Sequence, residues 1–438
     1  MTGRPPSNPS SPTLPLLFFI LLLLLHLPPS AWEVFPSARA DCECGYLAPS
    51  AAANGFRPAL FTDLLETDFT RLARTAADND DDDEEGDGDD DDIWTSGTTG
   101  WARQAFNMSR ARARGEYGEM FAVGNVGVGE AGLGLVVRSE VVDGMVSVAE
   151  LDTERLDLRW GTFRAMMKVS RVRGTCAAFF WYFNDTQEID MEFLSKDFNA
   201  ANGSYPVNLV LQSREAALAG YDAAKTGNFV RVELPFDPRA GFHEYRIDYL
   251  PGQVFFYADG EALAGMDGPA VPSSPGHLIL QHWSNGNPRW SGGPPVEDAA
   301  LVVRYVKAYF NSSLGQRQRD WESRCRDPAA PNAVCEIPDV TPGDMGAADW
   351  FFSDHSNMTN NQTTTTTSEE SEGSRLKQPW WPTTGCLLLA EKKSNAWIAI
   401  CSEHPTYPST KMIRTETQPP QISRLKKVRK WERNNSTS

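Results

Sequence analysis

The sequence predicts an all-β fold, a sandwich of two antiparallel sheets, and three observations support this prediction. Between residues 93 and 310, apolar and polar residues alternate over short runs, which is the period of β-strands. Turn-forming dipeptides separate these runs, and this region shows no convincing long helical period. The chain's 30 Pro, 34 Gly, 13 Trp, 11 Tyr and 22 Phe favour turns and strands, and its 41% hydrophobic content is ample for a globular core.

The predicted strands follow one another at spacings typical of a single sandwich domain. They are residues 145–149, 161–169, 177–183, 187–194, 207–212, 230–235, 243–249, 254–257, 278–283 and 301–310. The dipeptides predicted to form turns between them are Asn202-Gly203, Pro251-Gly252, Asp259-Gly260 and Pro275-Gly276.

Residues 1–40 are predicted to be a signal peptide. Residues 14–27 form one apolar run that is too short for a comfortable bilayer span, and Ala38-Arg39-Ala40 supplies the small-x-small pattern at which signal peptidase cleaves. We expect a secreted chain starting at Asp41, without stable membrane insertion; an uncleaved membrane anchor is the alternative. Eight Asn-x-Ser/Thr sequons agree with export; they start at Asn107, Asn184, Asn202, Asn311, Asn357, Asn361, Asn434 and Asn435.

Most of the negative charge lies outside the predicted core. The formal net charge is −17, but twelve acidic residues lie in the run 78–92, which we interpret as a solvated insertion in a domain spanning residues 41–313. A calcium site in this run is the alternative, although the run lacks EF-hand ligand spacing. No concentrated basic face precedes the last thirty residues, which excludes a nucleic-acid-binding domain. Residues 314–438 are expected to form a Cys325/Cys335 loop, then a disordered Ser/Thr/Asn-rich tail with a basic end.

Seven cysteines in an exported chain predict disulfides with one thiol left over. Cys325 and Cys335 are expected to pair, because they lie ten residues apart in a Pro-containing loop. Cys42 and Cys44 are too close to bridge each other, so each is expected to pair elsewhere. The other three are interpreted as a buried strand thiol and two tail cysteines that either pair or stay free: Cys176, Cys386 and Cys401.

The strand at residues 187–194 carries three acids on one face. Successive side chains of a strand alternate between faces, so Glu188, Asp190 and Glu192 share one face and the apolar residues between them share the other. The apolar row belongs between the sheets, and the acidic row must face solvent or a cleft. Because three carboxylates in a row repel one another, a merely solvated face is an unfavourable place for them.

Glycoside hydrolysis gives this row a function. Retaining cleavage requires a nucleophilic carboxylate and a proton donor about 5–5.5 Å apart. Residues i and i+4 of a flat strand have Cα atoms roughly 13 Å apart, and two long Glu side chains that lean together on a twisted sheet close most of that gap. Asp190 between them can hydrogen-bond one partner and help to keep the other protonated near neutral pH.

The residues around this row resemble glycoside hydrolase family 16. Residues 188–194 are similar to the E-I-D-x-E-F-L signature of that family. Residues 161–168 with 178–180 look like its two preceding strands, and residues 236–260 resemble its F-H-x-Y…Y-x-D-G hairpin. Residues 278–283 match the strand that carries its substrate-contacting Trp. The resemblance covers about residues 144–310.

The resemblance implies the concanavalin-A-like β-jelly-roll fold of that family and its double-displacement mechanism. It implies Glu188 as nucleophile, Glu192 as general acid/base and Asp190 as the helper. The uninterrupted signature looks like that of lichenases, plant xyloglucan transglycosylases and fungal chitin–glucan crosslinking enzymes. Arg164 stands where lichenases usually carry an acid and Met166 where they usually carry Arg, which leaves the substrate preference open.

Flat aromatic side chains are expected to complete the site, because the C–H faces of sugars pack on them. The predicted substrate-binding residues are Trp283, Gln281, Phe180, Tyr182 and Trp290. Phe180 and Tyr182 share one strand face and Trp181 takes the other, so Trp181 cannot line the cleft with them. His282 points away from Gln281 and Trp283 and is interpreted as a structural histidine. We expect no cofactor and no metal site, because no His/Cys cluster has metal-ligand spacing.

The sequence therefore predicts a secreted, monomeric, retaining endo-glycosidase acting on β-glucan-type polysaccharide outside the cell, with the cell wall as a candidate location. A transglycosylase that transfers wall glucan or chitin to another sugar is the alternative within the same chemistry. From other classes, a lectin-like binding module needs no i, i+4 pair of acids, and a wall protein with a spent active site would lack one catalytic Glu.

Overall fold

The computed structural model describes residues 41–48, 59–72, 94 and 99–355. Within these ranges the strands are β1 (Gly45–Ala48), β2 (Ala59–Phe61), β3 (Asp63–Asp68), β4 (Trp101–Arg103), β5 (Phe106–Met108), β6 (Gly118–Phe121), β7 (Val126–Gly129), β8 (Gly132–Val137), β9 (Val141–Val142), β10 (Met145–Thr153), β11 (Leu158–Lys168), β12 (Cys176–Asn184), β13 (Gln187–Leu194), β14 (Pro206–Gln212), β15 (Phe229–Glu233), β16 (His243–Leu250), β17 (Gln253–Ala258), β18 (Glu261–Asp267), β19 (His277–Trp283), β20 (Ala299–Ser312) and β21 (Val334–Glu336).

Three α-helices of the same ranges are α1 (Arg110–Ala113), α2 (Arg214–Leu218) and α3 (Gly315–Arg324), and residues 69–72 are also helical. No helix in the described part of the chain is long and apolar enough to cross a membrane. The predicted signal peptide, the acidic run, the two tail cysteines and everything after residue 355 lie outside the described residues.

Two large sheets form the sandwich. The first has the order β15-β14-β13-β12-β19-β10-β6-β5, with β4 and β9 also pairing with β10. The second has the order β18-β17-β16-β11-β20-β8-β7, with β3 also pairing with β20. Pairing within these sheets is antiparallel except between β10 and β6. The predicted all-β sandwich is confirmed, and every predicted strand overlaps an observed one.

The core between the sheets fixes which way β13 faces. Ile189, Met191 and Phe193 are fully buried and belong to the same cluster as Phe163 and Tyr245 of the second sheet. The rings of Phe193 and Tyr245 lie 4.6 Å apart. Burying each such side chain contributes about 1.5–3 kcal/mol, so a one-residue slip that exposed this row would be strongly disfavoured.

A small third sheet, β2-β1-β21, lies beside two disulfides that join the first described residues to the segment around β21. Cys42 bonds to Cys335 and Cys44 bonds to Cys325. The expected Cys325–Cys335 bridge is therefore wrong, because β1 pairs in parallel with β21 and brings the N-terminal cysteines beside this loop. That Cys42 and Cys44 pair elsewhere is confirmed, and Cys176 is a buried free thiol.

Residues 336–355 pack on the outer side of the second sheet, although their sequence has no periodic apolar pattern. Ile337, Val340 and Phe352 are buried. Lys307 on β20 donates its Nζ protons to the backbone carbonyls of residues 347, 348 and 350, at 2.6–3.1 Å. The structure thus extends the folded unit beyond the expected boundary at residue 313, to residue 355.

Candidate active site

The acidic row lies on the outer face of the first sheet, the face of β13 opposite the core. Asp190 is buried, while Glu188 and Glu192 are half-buried. β13 has a strand on each side, β12 and β14, so its backbone is held rigidly and the row cannot rotate out of position. The predicted alternation of acidic and apolar residues along β13 is thus what the structure has.

Cross-strand pairing defines the neighbours of each acid, because directly opposed residues share a face. Asn208 on β14 and Ala178 on β12 lie opposite Glu192. Ala178 in turn lies opposite Gln281 on β19, and Gln281 lies opposite Glu150 on β10. The small side chain of Ala178 therefore leaves room between the acidic row and the polar residues of β19 and β10.

The three carboxyls of the row interact and share protons. Burial, opposed by a hydrogen bond with Asp190 and reinforced by the charge of Glu192, raises the pKa of Glu188 to about 7. Burial and the charge of Glu188 raise the pKa of Asp190 well above its usual range. Burial raises the pKa of Glu192 to about 6. The row therefore holds fewer than three negative charges near neutral pH, and its members titrate together.

The two glutamates have different hydrogen-bond partners. Glu188 shares a hydrogen bond with Asp190, whose raised pKa favours the protonated form that can donate it. Glu192 accepts a hydrogen bond from the indole Nε1 of Trp290, 3.0 Å from Oε1, and another from the thiol of Cys176, 3.6 Å from the same oxygen. Glu188, at one end of the row, is thus hydrogen-bonded to a carboxyl, and Glu192, at the other end, to two neutral donors.

A second group of acids, which the sequence did not predict, lies on the same face. Burial raises the pKa of Glu119 to about 8 and that of Glu150 to about 7, and it raises the pKa of Asp152 well above its usual range. Gln281 donates a hydrogen bond from Nε2 to Oε2 of Glu150, which opposes the shift of Glu150. Near neutral pH, Glu119 is therefore mostly protonated and Glu150 is protonated about half of the time, while the raised pKa of Asp152 favours its neutral form.

Arg114, also not predicted, supplies positive charge to this face. Its charge lowers the pKa values of Glu119, Glu188 and Glu192 against the effect of burial. The guanidinium lies 4.6 Å from the ring centroid of Tyr221, which belongs to the loop between β14 and β15. A positive side chain from the loop before β6 therefore reaches across this face to a loop at the other edge of the sheet.

The predicted substrate-binding residues all lie on or over this outer face. Tyr182, Gln281, Trp283 and Trp290 are half-buried and keep exposed surface. Phe180 is buried in a small cluster with Ala178 and Ile279, so its ring offers little surface to a ligand. Trp290 differs from the others because its polar edge is committed to Glu192.

Two side chains of the same strands face the core, as expected. Trp181 is fully buried and donates from Nε1 to the carbonyl of Leu158 at 3.1 Å. His282 is fully buried, and its Nδ1 lies 2.9 Å from the carbonyl of Leu135. Among the residues that the structure describes, no group of three His, Cys, Asp or Glu side chains is arranged to hold a metal ion.

The buried acids predict that the free energy of unfolding falls between pH 6.5 and pH 8. In this window Glu119, with a pKa of about 8, keeps a proton that the unfolded chain has lost, and Glu150 and Glu188 do so up to about pH 7. The stabilisation that each protonated carboxyl contributes is fully present below its pKa in the unfolded chain. It is lost as the pH rises through its pKa in the folded protein. His277 and His282, whose folded pKa values are about 4, take up protons only in the unfolded chain. Because an unfolded histidine titrates near pH 6.5, they oppose the fall at the lower end of this window and no longer do so by pH 8.

Each such carboxyl changes the free energy of unfolding by about 1.4 kcal/mol per pH unit. Denaturant melts at pH 6.5, 7.2 and 8.0 measure this slope. Glu119→Gln, which stays neutral, should flatten it. An equal slope in wild type and variant, or higher stability at pH 8, would contradict the placement of this acid.

Two glutamates on one strand, in different environments and coupled through an aspartate, form an arrangement typical of carboxylate-dependent glycoside hydrolases. Comparison with known proteins gives the family. Residues 132–300 match the model of glycosyl hydrolases family 16, so this chain carries a domain of that family, and the resemblance found in the sequence is confirmed.

The relatives found by sequence are distant. A beta-glucanase of Paenibacillus macerans is 31% identical over 139 residues, which are 30% of this chain and 52% of that protein. A beta-glucanase of Bacillus licheniformis is 27% identical over 158 residues, 34% of this chain and 58% of that protein. The Congo red hypersensitive protein 1 of Saccharomyces cerevisiae is 23% identical over 184 residues, 38% of this chain and 34% of that protein. The chain thus spans about half the length of the bacterial relatives it matches.

Among solved structures, the beta-glucanase of Bacillus licheniformis is similar, with 19% identity, a TM-score of 0.38, and coverage of 48% of this chain and 92% of that one. A Crh5 transglycosylase in complex with NAG is 19% identical with a TM-score of 0.39, and the match covers 57% of this chain and 84% of that one.

Proposed function

We propose that the chain is a secreted, retaining glycosidase that acts on the internal bonds of β-glucan-type polysaccharide. The main support for this proposal is the asymmetry of the acidic row. Glu188 is hydrogen-bonded to Asp190, whereas Glu192 accepts hydrogen bonds from two neutral donors. The family match supports the reaction class, and the bacterial relatives, which are named beta-glucanases, support the substrate class.

Because the three carboxyls share protons, the proposed mechanism starts from the protonation state in which Glu188 is ionised and Glu192 holds a proton. Glu188 attacks the anomeric carbon and forms an ester bond to the sugar. The bond between that carbon and the glycosidic oxygen breaks, and the leaving oxygen takes a proton from Glu192. Asp190 donates its hydrogen bond to Glu188 and so orients the nucleophile. In the second half, Glu192 removes a proton from an acceptor hydroxyl that attacks the same carbon, and the ester bond breaks to regenerate Glu188.

The acceptor is water in hydrolysis and a sugar hydroxyl in transglycosylation, and both use the same glycosyl–enzyme. The half-buried aromatic surfaces of Tyr182 and Trp283 support a face that binds several sugar units. Export from the cell is supported by the signal-like residues 1–40 and by the two disulfides, which form in oxidising compartments. The sequon residues Asn107, Asn184 and Asn202 are exposed, as attachment of a glycan requires.

The stereochemistry of the product tests this proposal. Purified protein incubated with a panel of β-glucans should release product that is first the β-anomer, as seen by proton NMR before mutarotation. Labelled acceptor oligosaccharides should become elongated at high substrate concentration. Initial release of the α-anomer would mean inversion and a wrong pair of acids. Binding without turnover by the folded protein on every β-glucan and chitin-derived substrate would favour a lectin-like module.

A further inference from the structure

We propose that Cys176 and Trp290 act as a pair of positioning residues that hold Oε1 of Glu192, so that the catalytic proton of this residue is always carried by Oε2. This inference rests on the proposed function, because it concerns how its general acid works. Neither residue belongs to the family signature at residues 188–194.

The two donors reach Glu192 from different parts of the fold. Cys176 begins β12, two residues before Ala178, which lies opposite Glu192, and its side chain is fully buried. Its Sγ lies 3.6 Å from Oε1 of Glu192. Trp290 belongs to the loop between β19 and β20, and its Nε1 lies 3.0 Å from the same oxygen. Both hydrogen bonds described for this carboxyl therefore end on one of its two oxygens.

The chemistry of a carboxylic acid turns this into an assignment of the proton. A neutral carboxyl has one hydroxyl oxygen and one carbonyl oxygen, and the carbonyl oxygen is the better acceptor. An oxygen that receives an N–H and an S–H has both lone-pair directions occupied, so Oε1 is the carbonyl oxygen. The proton then lies on Oε2, which is left to face the glycosidic oxygen.

The same pair serves both halves of the reaction. In the first half the glycosidic oxygen, with the electron pair of the broken bond, takes the proton from Oε2. Glu192 is then an anion, and the two donors stabilise its charge. In the second half Oε2 takes a proton from the acceptor hydroxyl as that oxygen bonds to the anomeric carbon, and the electron pair of the ester bond returns to Glu188.

A thiol suits this position because it remains a donor throughout. Burial and the nearby charge of Glu192 hold the pKa of Cys176 well above its usual range, so the S–H does not ionise. A thiol is also a weak donor, and it supports the carboxylate without lowering the pKa of Glu192 so far that the acid form is lost. The other charged or titratable groups that face Glu192 are Glu188 and Asp190 on its own strand, Glu150 in the same cross-strand row, Arg114 from the loop before β6, and Arg231 on β15, which is paired with Asp197.

Three variants of the full protein test the assignment through the pH dependence of kcat/KM. Cys176→Val removes the donor at similar volume and Trp290→Phe removes the other donor, so each should raise the pKa of Glu192 and move the alkaline limb of the profile up by about 0.5 to 1 pH unit. Cys176→Ser keeps a hydroxyl donor and should restore the wild-type limb. A purely structural role would lower stability in both Cys176 variants without moving the limb.

The leaving group separates acid catalysis from other effects. Glycosides with a poor leaving group need the proton of Glu192, whereas dinitrophenyl glycosides leave without it. Cys176→Val should therefore slow the cleavage of glycosides with a poor leaving group by about 3- to 10-fold. It should change the rate on dinitrophenyl glycosides less than twofold. Equal loss on both substrates, or an unmoved alkaline limb in both donor-deleted variants, would overturn the proposal.

Infrared spectroscopy tests the contact without turnover, so that a failure of the proposed function and a failure of this inference can be told apart. The S–H stretching band that is absent in Cys176→Ser belongs to Cys176. It should shift to lower frequency as Glu192 ionises, since a carboxylate is a stronger acceptor than a neutral acid, and this shift should vanish in Glu192→Ala. A band that is independent of pH in the wild type would show that the thiol does not contact the carboxyl, whatever the activity of the protein.

Discussion

Glu188→Gln and Glu192→Gln should each fold normally and lose nearly all turnover on the preferred β-glucan. The amide introduced at position 188 would be unable to attack the anomeric carbon, and the amide introduced at position 192 would have no proton to give. Proton transfer by a positioned side chain contributes about 10²–10⁴-fold, so each variant should fall at least that far. Asp190→Asn should retain a small fraction of activity, because the amide still orients Glu188 but shifts its pKa. Initial rates at the pH optimum measure all three.

Azide distinguishes the two roles. In Glu188→Ala, azide can attack the anomeric carbon directly and give the α-glycosyl azide. In Glu192→Ala, azide intercepts the glycosyl–enzyme, which needs no base for that step, and gives the β-glycosyl azide. Glu261→Gln, an exposed acid on β18 of the other sheet, is the matched control and should behave as wild type. Wild-type rates in either Gln variant would show that the site has been assigned to the wrong residues.

Asp339→Ala should lower the free energy of unfolding by about 3 kcal/mol. Oδ1 of Asp339 accepts hydrogen bonds from Arg164 at 2.7 Å and Arg246 at 3.0 Å, and both arginines are almost completely buried. Removing one partner of a buried ion pair typically costs about 3–5 kcal/mol, and Asp339 retains some solvent exposure, so the lower end applies. The melting temperature should fall by roughly 6–12 °C, which differential scanning calorimetry measures.

The control is Glu336→Ala, an exposed acid three residues earlier in the same segment, which should change the melting temperature by less than about 2 °C. A chain ending at His355 should also fold, and one ending at Cys335 should be unstable because Arg164, Arg246 and Lys307 lose the partners that they have among residues 338–350. A stable chain ending at Cys335, or an unaffected Asp339→Ala variant, would contradict the extension of the folded unit to residue 355.

The alternation of residues 187–194 was enough to predict which side chains of this strand face the core and which form the site. The rule is local, since it needs only the backbone period and the burial of Ile189, Met191 and Phe193. The strands whose apolar residues alternate clearly were predicted for the same reason. β10 shows where the rule is insufficient, because almost all of its residues are buried. Glu150 therefore gave no signal as a site residue, and only its pairing with Gln281 places it on the outer face.

Long-range pairing accounts for what the sequence did not predict. The disulfide partners are separated by 293 and 281 residues, and their proximity depends on β1 lying beside β21. The contact of Trp290 with Glu192 depends on how one loop folds back over the sheet. Arg164 departs from the residue type expected in lichenases, and the structure shows why this does not affect the site: it lies on the second sheet, bonded to Asp339 and to the carbonyl of Pro338.

The most direct test of the proposed mechanism is to trap the glycosyl–enzyme and find the residue that carries it. A 2-deoxy-2-fluoro glycoside with a good leaving group slows the second step more than the first, so a retaining enzyme accumulates the covalent sugar. Mass spectrometry of the labelled, digested protein should show one added sugar per chain, on the peptide that contains Glu188 and on the side chain of that residue. Glu188→Gln should take up no label. A label on Glu192 or on another residue, or turnover of β-glucan with no covalent sugar at any time, would contradict the account.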